Sequence, residues 1–263
     1  MRIFFAFLAI SSLMISCGGS GSEESVAEKL EAWELDFNSL RKSEANCTGD
    51  TCTYIELSIP VLEGGSVDAR SRINDYIDAT FREALKSRLP EPNSTAPFPE
   101  LAESFLEGYK LFNMEFPESD AAWFLELKGD SSMLTEEYFT AIISDIDFMG
   151  GAHPNAYTTI QSFDLEDGRA IDILSRYDST RIYRLAEEEF RSIHQIPDSL
   201  GLNEAGMMFE ADKFALPENL GLTPAGILLY YNSYEVASYA AGPTEIVLSY
   251  DKLKPENKDL ANR

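Results

Sequence analysis

Histidine is scarce in this chain, and one of its two histidines lies in a run of residues with unusual backbone preferences. The run GGAHPN contains Gly150, Gly151, His153, Pro154 and Asn155. Glycine tolerates positive φ, and proline pushes the residue before it towards an extended conformation, so the run aims the imidazole in a fixed direction. The imidazole could act as acid, base or binding contact in a cleft, or donate structurally to a neighbouring carbonyl. Because spacing identifies no partner, we favour the structural role.

A second candidate site is the tyrosine-rich stretch LLYYNSYEVASYAAG. Tyr231, Tyr234 and Tyr239 accompany Glu235 there, and such rings supply amphipathic area that is typical of a binding surface. Core packing is the competing interpretation, because strand alternation turns about half of such rings inward. If His153 and Glu235 shared one cleft, they could serve a hydrolase acting on cell-wall glycan or peptide, which is our alternative.

Known catalytic and ligand-binding motifs are absent from the sequence. No segment matches a nucleophile elbow, a zincin helix, a phosphate loop or a dinucleotide fingerprint. The acidic run DLEDGRAID is out of register with a calcium loop and predicts a tight turn. With two histidines, a zinc site would need mostly carboxylate ligands. We therefore predict no cofactor, no metal site and no catalytic residue, and we prefer a non-enzymatic function.

The N-terminus predicts export. Residues 1–16 combine Arg2 with an apolar run too short to cross a bilayer, which is typical of a signal peptide. Cys17 follows Leu-Met-Ile-Ser and precedes two glycines, as in the lipobox of bacterial lipoproteins. Residues 17–27 are then the lipidated cysteine and a flexible tether to the membrane. The alternative is an ordinary cleaved signal with a chance cysteine. Either way, we expect a periplasmic or cell-surface protein.

Two further cysteines flank a turn sequence. Cys47 and Cys52 stand on either side of Thr-Gly-Asp-Thr, and an even pair in an exported chain predicts a disulfide. A metal site would need more thiolates or nearby histidines.

The chain is strongly acidic, with a formal net charge of −24. This charge disfavours binding to nucleic acid or anionic headgroups, and it favours encounter with cationic proteins such as a basic muramidase. A well-solvated surface is the simpler interpretation of the same charge.

Hydrophobic periodicity predicts the elements that must position these residues. Alternation near Trp33–Phe37 and Tyr54–Val61 predicts a hairpin, and two amphipathic helices follow, from Ser66 and from Phe98. Next come three strands of an antiparallel meander, a third helix that ends at His194, and further strands that close the sheet. We give His194 the structural role of a helix end.

These elements predict an α+β fold: an antiparallel sheet with about three main helices, in two intimately packed subdomains. The first subdomain covers residues 28–149 and the second covers residues 150–253. Residues 254–263 form a tail.

Several motifs occur in the order found in a known family. They are GGAHPN, a strand ending in D-x-x-D-G, a helix, Phe214-x-Leu216-x-x-Asn219, the run GILLYYNSYEVASYAAGP, and Tyr250-x-x-Leu253. Residues 45 to 253 thereby resemble the extracytoplasmic domain of RsiV-type proteins. The same domain of unknown function is the non-catalytic part of PdaC-type peptidoglycan deacetylases.

The resemblance implies an α+β envelope domain without an established catalytic activity. In RsiV-type anti-sigma factors this region binds lysozyme, so the resemblance implies a sensor or inhibitor of cell-wall-degrading enzymes. This chain has a lipobox cysteine where that family has a transmembrane helix, and it shows no sigma-binding segment, so anti-sigma activity is not expected. A purely structural lipoprotein is the remaining alternative.

Overall fold

The computed structural model describes residues 31–45, 52–90, 95–119 and 121–254. The fold within these ranges is α+β, as predicted. It contains a five-stranded sheet, a three-stranded sheet and five helices, three of which are long.

The chain enters the large sheet through the predicted hairpin. Strands β1 (Glu34–Ser43) and β2 (Tyr54–Glu63) are antiparallel, and Glu34 pairs with Glu63 at the end far from the turn. β1 forms one edge of the sheet, and most of its residues are exposed.

Two helices follow and cover one face of this sheet. The Ser66 side chain accepts a hydrogen bond from the Ala69 N–H and starts α1 (Val67–Lys86). α2 (Phe98–Glu115) begins with a proline in its first turn, where the missing N–H costs nothing. The apolar faces of both helices pack on the inward residues of β2 to β4.

The predicted meander completes the large sheet. β3 (Phe124–Leu134), β4 (Tyr138–Phe148) and β5 (Asn155–Asp164) are successive antiparallel neighbours. β3 also pairs with β2 in parallel, so α1 and α2 form the crossover that a parallel pair requires. Alternation does not reveal strand direction, and the sequence did not predict this pairing.

The described residues after β5 form a second layer. It contains α3 (Ile173–Arg176), α4 (Ser179–Ile193), β6 (Asn219–Thr223), β7 (Gly226–Tyr231), β8 (Thr244–Ser249) and α5 (Tyr250–Leu253). The last three strands make their own antiparallel sheet, so they do not close the large sheet as expected. The predicted division near residue 149 stays a prediction. It falls in the loop between β4 and β5, which are two strands of one sheet.

Each sheet has its own apolar core. The first lies between the large sheet and its two helices, around Phe81, Phe105 and Phe139. The second lies between α4 and the small sheet, around Phe190 and Leu229. β5 and β6 lie against each other where the two sheets meet.

His194 ends α4, as predicted. Its side chain, however, contacts a residue that is distant in the sequence, beyond the helix itself. Its Nε2 lies 2.9 Å from Thr244 Oγ1 on β8, which fastens the helix to the small sheet. Burial lowers the pKa of this imidazole.

The helices of the described ranges include none with the length and hydropathy of a membrane span.

Candidate functional site

The GGAHPN run is the loop between β4 and β5. Gly150 and Gly151 have φ values of 96° and 119°, which side-chain-bearing residues rarely adopt. No described atom lies within 4 Å of a Cβ placed at either glycine. The glycines therefore serve the backbone conformation of the loop, and not the close approach of another segment.

His153 lies on the surface of this loop and contacts two tyrosines from the second layer. Its ring stacks on Tyr239, with centroids 3.7 Å apart and planes inclined by 14°. Its Nε2 lies 3.3 Å from Tyr234 Oη, and its Nδ1 lies 2.8 Å from the Pro154 carbonyl. We call His153, Tyr234 and Tyr239 the aromatic patch. Three of the residues selected from sequence thus meet in space, although they come from two distant segments.

The turn after β7 holds Tyr234 in a strained conformation. Its φ is 69°, in the left-handed region that costs a bulky residue on the order of 1 kcal/mol or more. The side chain is nevertheless 58% exposed, so core packing does not account for the strain. An exposed aromatic residue in such a conformation is a candidate for function.

Glu235 has a different role from the one that pairing with His153 would require. Its carboxylate accepts a hydrogen bond from the Asn232 N–H at 2.8 Å, and its own N–H donates to the Asn232 carbonyl. Partial burial raises the pKa of Glu235, backbone hydrogen bonds from Asn232 and Glu218 oppose this shift, and the Glu218 carboxylate adds to it. Glu235 therefore closes the turn that carries Tyr234.

Tyr231 is a core residue. It is 1% exposed, and its hydroxyl donates to the Ala215 carbonyl at 2.8 Å. Its ring packs edge-on against Phe190 and Phe209. Of the tyrosines singled out, Tyr231 thus stabilises the second core, while Tyr234 and Tyr239 face outward.

Two buried asparagines join the sheets, and sequence reasoning gave neither this role. Asn232 accepts from the Thr158 N–H at 2.7 Å and donates to the Thr158 carbonyl at 3.0 Å. Asn219 accepts from the Ile160 N–H at 2.8 Å and donates to the Thr158 carbonyl at 2.9 Å. A side-chain amide offers one donor and one acceptor group, as a peptide does, so these residues satisfy the free edge of β5. The sequence signal was an asparagine on each side of the apolar hairpin. Asn219 begins β6, and Asn232 follows β7.

An acid cluster lies beneath the GGAHPN loop. Arg88 Nη2 contacts Asp145 Oδ2 at 2.7 Å and Asp147 Oδ1 at 2.8 Å, and Asn155 donates to Asp147 Oδ2 at 3.1 Å. Burial raises the pKa of Asp145 to about 6; Arg88 opposes this shift and Asp147 adds to it. Sequence reasoning missed this cluster. The signal was Ser-Asp-Ile-Asp in β4, which places both aspartates on the face that carries Ile143.

Acidic side chains also lie close to Tyr157 of β5. Its pKa is raised by burial and by the carboxylates of Glu218 and Glu235. The ring is 48% exposed. This part of the surface therefore combines exposed aromatic rings with negative charge.

Within residues 31–45, 52–90, 95–119 and 121–254, no three His, Cys, Asp or Glu side chains are grouped so as to hold a metal ion. Cys17 and Cys47 lie outside these ranges, and Cys52 precedes β2. Lipidation at Cys17 and the disulfide between Cys47 and Cys52 stay predictions.

Comparison with known proteins finds similarity to a family of unknown function. Residues 172–251 match the model of the family described as "Protein of unknown function (DUF3298)". A DUF3298 family member from Bacteroides fragilis is similar over 84% of this chain and 91% of its own, with 18% identity and a TM-score of 0.61. A DUF3298 family protein from Pseudomonas aeruginosa is similar over 85% of this chain and 93% of its own, with 13% identity and a TM-score of 0.57. Curated proteins gave no match. At these identities the two structures establish the fold alone.

Proposed function

We propose that this chain is a cell-envelope binding protein, held to a bacterial membrane through a lipid on Cys17, and that it binds a basic protein such as a muramidase. The observation that carries the proposal is the aromatic patch, in which a strained and exposed Tyr234 adjoins a stacked His153–Tyr239 pair. The protein would then sense or inhibit a cell-wall-degrading enzyme.

The chemistry of the patch suits a protein partner. Tyrosine gives a large contact area with few rotatable bonds, which is why it is common among the residues that dominate binding energy. Fixing Tyr234 in the unbound state removes part of the ordering cost of association. The nearby Glu218 and Glu235 carboxylates and the net charge of −24 complement a cationic surface.

The resemblance to RsiV-type proteins supports the choice of a muramidase. A hydrolase that uses His153 and Glu235 has less support. The Glu235 carboxylate is bound by backbone N–H groups, while His153 contacts Tyr234 and Tyr239. A general base needs hydrogen-bond reach to the proton it moves.

Titration of the purified protein with a basic lysozyme tests the proposal. We expect Tyr234→Asn to weaken binding at least tenfold without loss of stability, because asparagine tolerates the left-handed conformation. Leu111→Asn, which removes an exposed apolar side chain on α2, is the matched control and should bind as the parent does. Binding should also weaken as salt rises, because the Debye length falls to about 8 Å at 0.15 M.

Two results would reject the proposal. One is the absence of lysozyme binding even at low salt. The other is equal affinity for the parent and Tyr234→Asn, which would show that any interface lies elsewhere.

A further inference from the structure

A cavity of about 560 Å³ lies between α1 and the strands β4 and β5. Apolar and aromatic groups line most of it, including Tyr76, Ala79, Ile143 and Tyr157. Asp145 lies at one wall, with Arg88 beside it. Ligand cavities commonly combine such apolar walls with a few fixed polar groups.

Asp145 is the group in this cavity that lacks a full set of partners. The residue is 7% exposed, and its Oδ2 contacts Arg88 at 2.7 Å. Its Oδ1 is buried and has no hydrogen-bond partner among the described residues. Both oxygens of Asp147 are bonded, one to Arg88 and the other to Asn155. The single guanidinium of Arg88 is thus the cationic partner of two buried carboxylates. A buried charge that lacks hydrogen-bond partners lowers the stability of the fold.

The cavity adjoins the surface that carries the aromatic patch. Tyr157 lines the cavity and pairs with Asp145 across β4 and β5. The Tyr157 hydroxyl is also close enough to Glu218 and Glu235 for their charges to raise its pKa. Glu235 is next to Tyr234 in the sequence, so Tyr157 connects the cavity to the part of the surface that carries the patch.

We infer that this cavity is a second binding site and that it takes the primary ammonium group of a lysine-like side chain, with Asp145 as its counter-ion. The inference rests on the proposed function only for the source of that side chain, which is the basic partner. The ammonium would supply the hydrogen bond that Asp145 Oδ1 lacks once the carboxylate turns this buried oxygen towards the cavity. The aliphatic stem would lie between Tyr76 and Tyr157.

The geometry favours an ammonium over a guanidinium group. A guanidinium binds a carboxylate best through both of its oxygens, and Arg88 already contacts Oδ2 of Asp145. An ammonium is a compact charge that needs one free oxygen.

Protonation of Asp145 should control this site. The charged and titratable groups around it are Glu83 and Tyr76 of α1, Arg88 after α1, Asp147 of β4 and Tyr157 of β5. Burial and Asp147 raise the pKa of Asp145 to about 6 against the effect of Arg88, so the carboxylate should lose its charge as the pH falls through this range. Binding of an ammonium should therefore weaken as pH falls below about 6.

The test uses the purified full chain and two small probes, Nα-acetyl-lysine methylamide and its uncharged analogue Nα-acetyl-norleucine methylamide. NMR shifts of the Tyr157 and Thr159 signals report occupancy. We expect saturable shifts with the lysine probe at pH 7.5, about tenfold weaker binding at pH 5, and none with the norleucine probe. Asp145→Asn should weaken binding at least tenfold, whereas Glu245→Gln, which removes an exposed carboxylate on β8, should not.

A second variant tests the cavity independently, in case Asp145→Asn does not fold. Ala79 is an exposed helical residue at the cavity, so Ala79→Leu keeps α1 intact and fills the space. It should also abolish the shifts.

The outcomes separate the two proposals. Lysine-probe binding that depends on Asp145 supports the cavity even if no muramidase binds. A parent protein that binds muramidase but not the lysine probe, or that binds both lysine and norleucine probes equally, overturns the cavity inference and leaves the proposed function standing.

Discussion

The imidazole of His153 forms one local hydrogen bond, to the Pro154 carbonyl, and contacts two tyrosines of the second layer. The predicted bond to a neighbouring carbonyl is present, but that carbonyl belongs to the next residue, Pro154. It therefore does not hold the strand crossing together. The contacts that link two segments are those with Tyr234 and Tyr239.

We accordingly expect His153→Gln to change binding more than stability. The free energy of unfolding in urea should fall by about 1 kcal/mol or less, because the side chain is only partly buried. Affinity for a basic lysozyme, measured by calorimetry, should fall because the ring that supports Tyr239 is lost. A loss of stability above about 2 kcal/mol would show that the loop is primarily structural.

For single residues, the sequence predicted general roles better than it predicted which other residues their side chains contact. Alternation correctly implied that the tyrosines divide between core and surface, but it did not say that Tyr231 faces inward and Tyr234 outward. That choice depends on the turn at Asn232, where a positive φ at Tyr234 breaks the alternation. The role of Asp145 was equally hidden, because Arg88 comes from a different element.

The elements are joined by side chains where backbone pairing stops. β5 is an edge strand of the large sheet, and Asn219 and Asn232 bond to its free backbone groups. Because side chains make these bonds, β6 and β7 need not run in backbone register with β5. The two sheets can therefore contact each other and stay separate sheets. An exposed strand edge would otherwise invite pairing with other chains.

Asn232→Ala should therefore loosen this junction. It leaves the buried Thr158 N–H without its partner, so we expect a loss of about 1 to 3 kcal/mol in the free energy of unfolding. The Thr158 amide should also exchange its hydrogen faster. Asn38→Ala, on the exposed strand β1, is the control and should change neither quantity. Normal protection of Thr158 in Asn232→Ala would refute the role assigned to this asparagine.

Most elements were predictable because their signals are local. Ser66 and Asp178 cap helices through their own next turn, and apolar periodicity marks the buried faces. The parallel pairing of β2 with β3 and the separate small sheet were not predictable. Both depend on contacts between segments that are distant in the chain.

For the whole molecule, the proposed anchor gives a direct prediction. Cys17→Ser should move the protein from the membrane fraction to the soluble fraction of the bacterial host, because a lipid on that cysteine is the proposed attachment. Fractionation with immunodetection measures this, and processing of the signal peptide should change as well. Membrane association and processing equal to those of the parent would rule out lipidation at this residue.

The parallel contact between β2 and β3 also bears on how the chain reaches its native state. The meander β3 to β5 and the hairpin β1 to β2 each need only short loops to close, whereas Tyr54 and Phe124 are separated in the sequence by both helices. Contacts between residues so far apart in sequence slow folding, because chain entropy is lost before they form. The meander should thus gain structure first, and the hairpin with its helices should dock last. Until it docks, the apolar side of β3 has no cover, so we expect the chain to be most prone to aggregation in this interval.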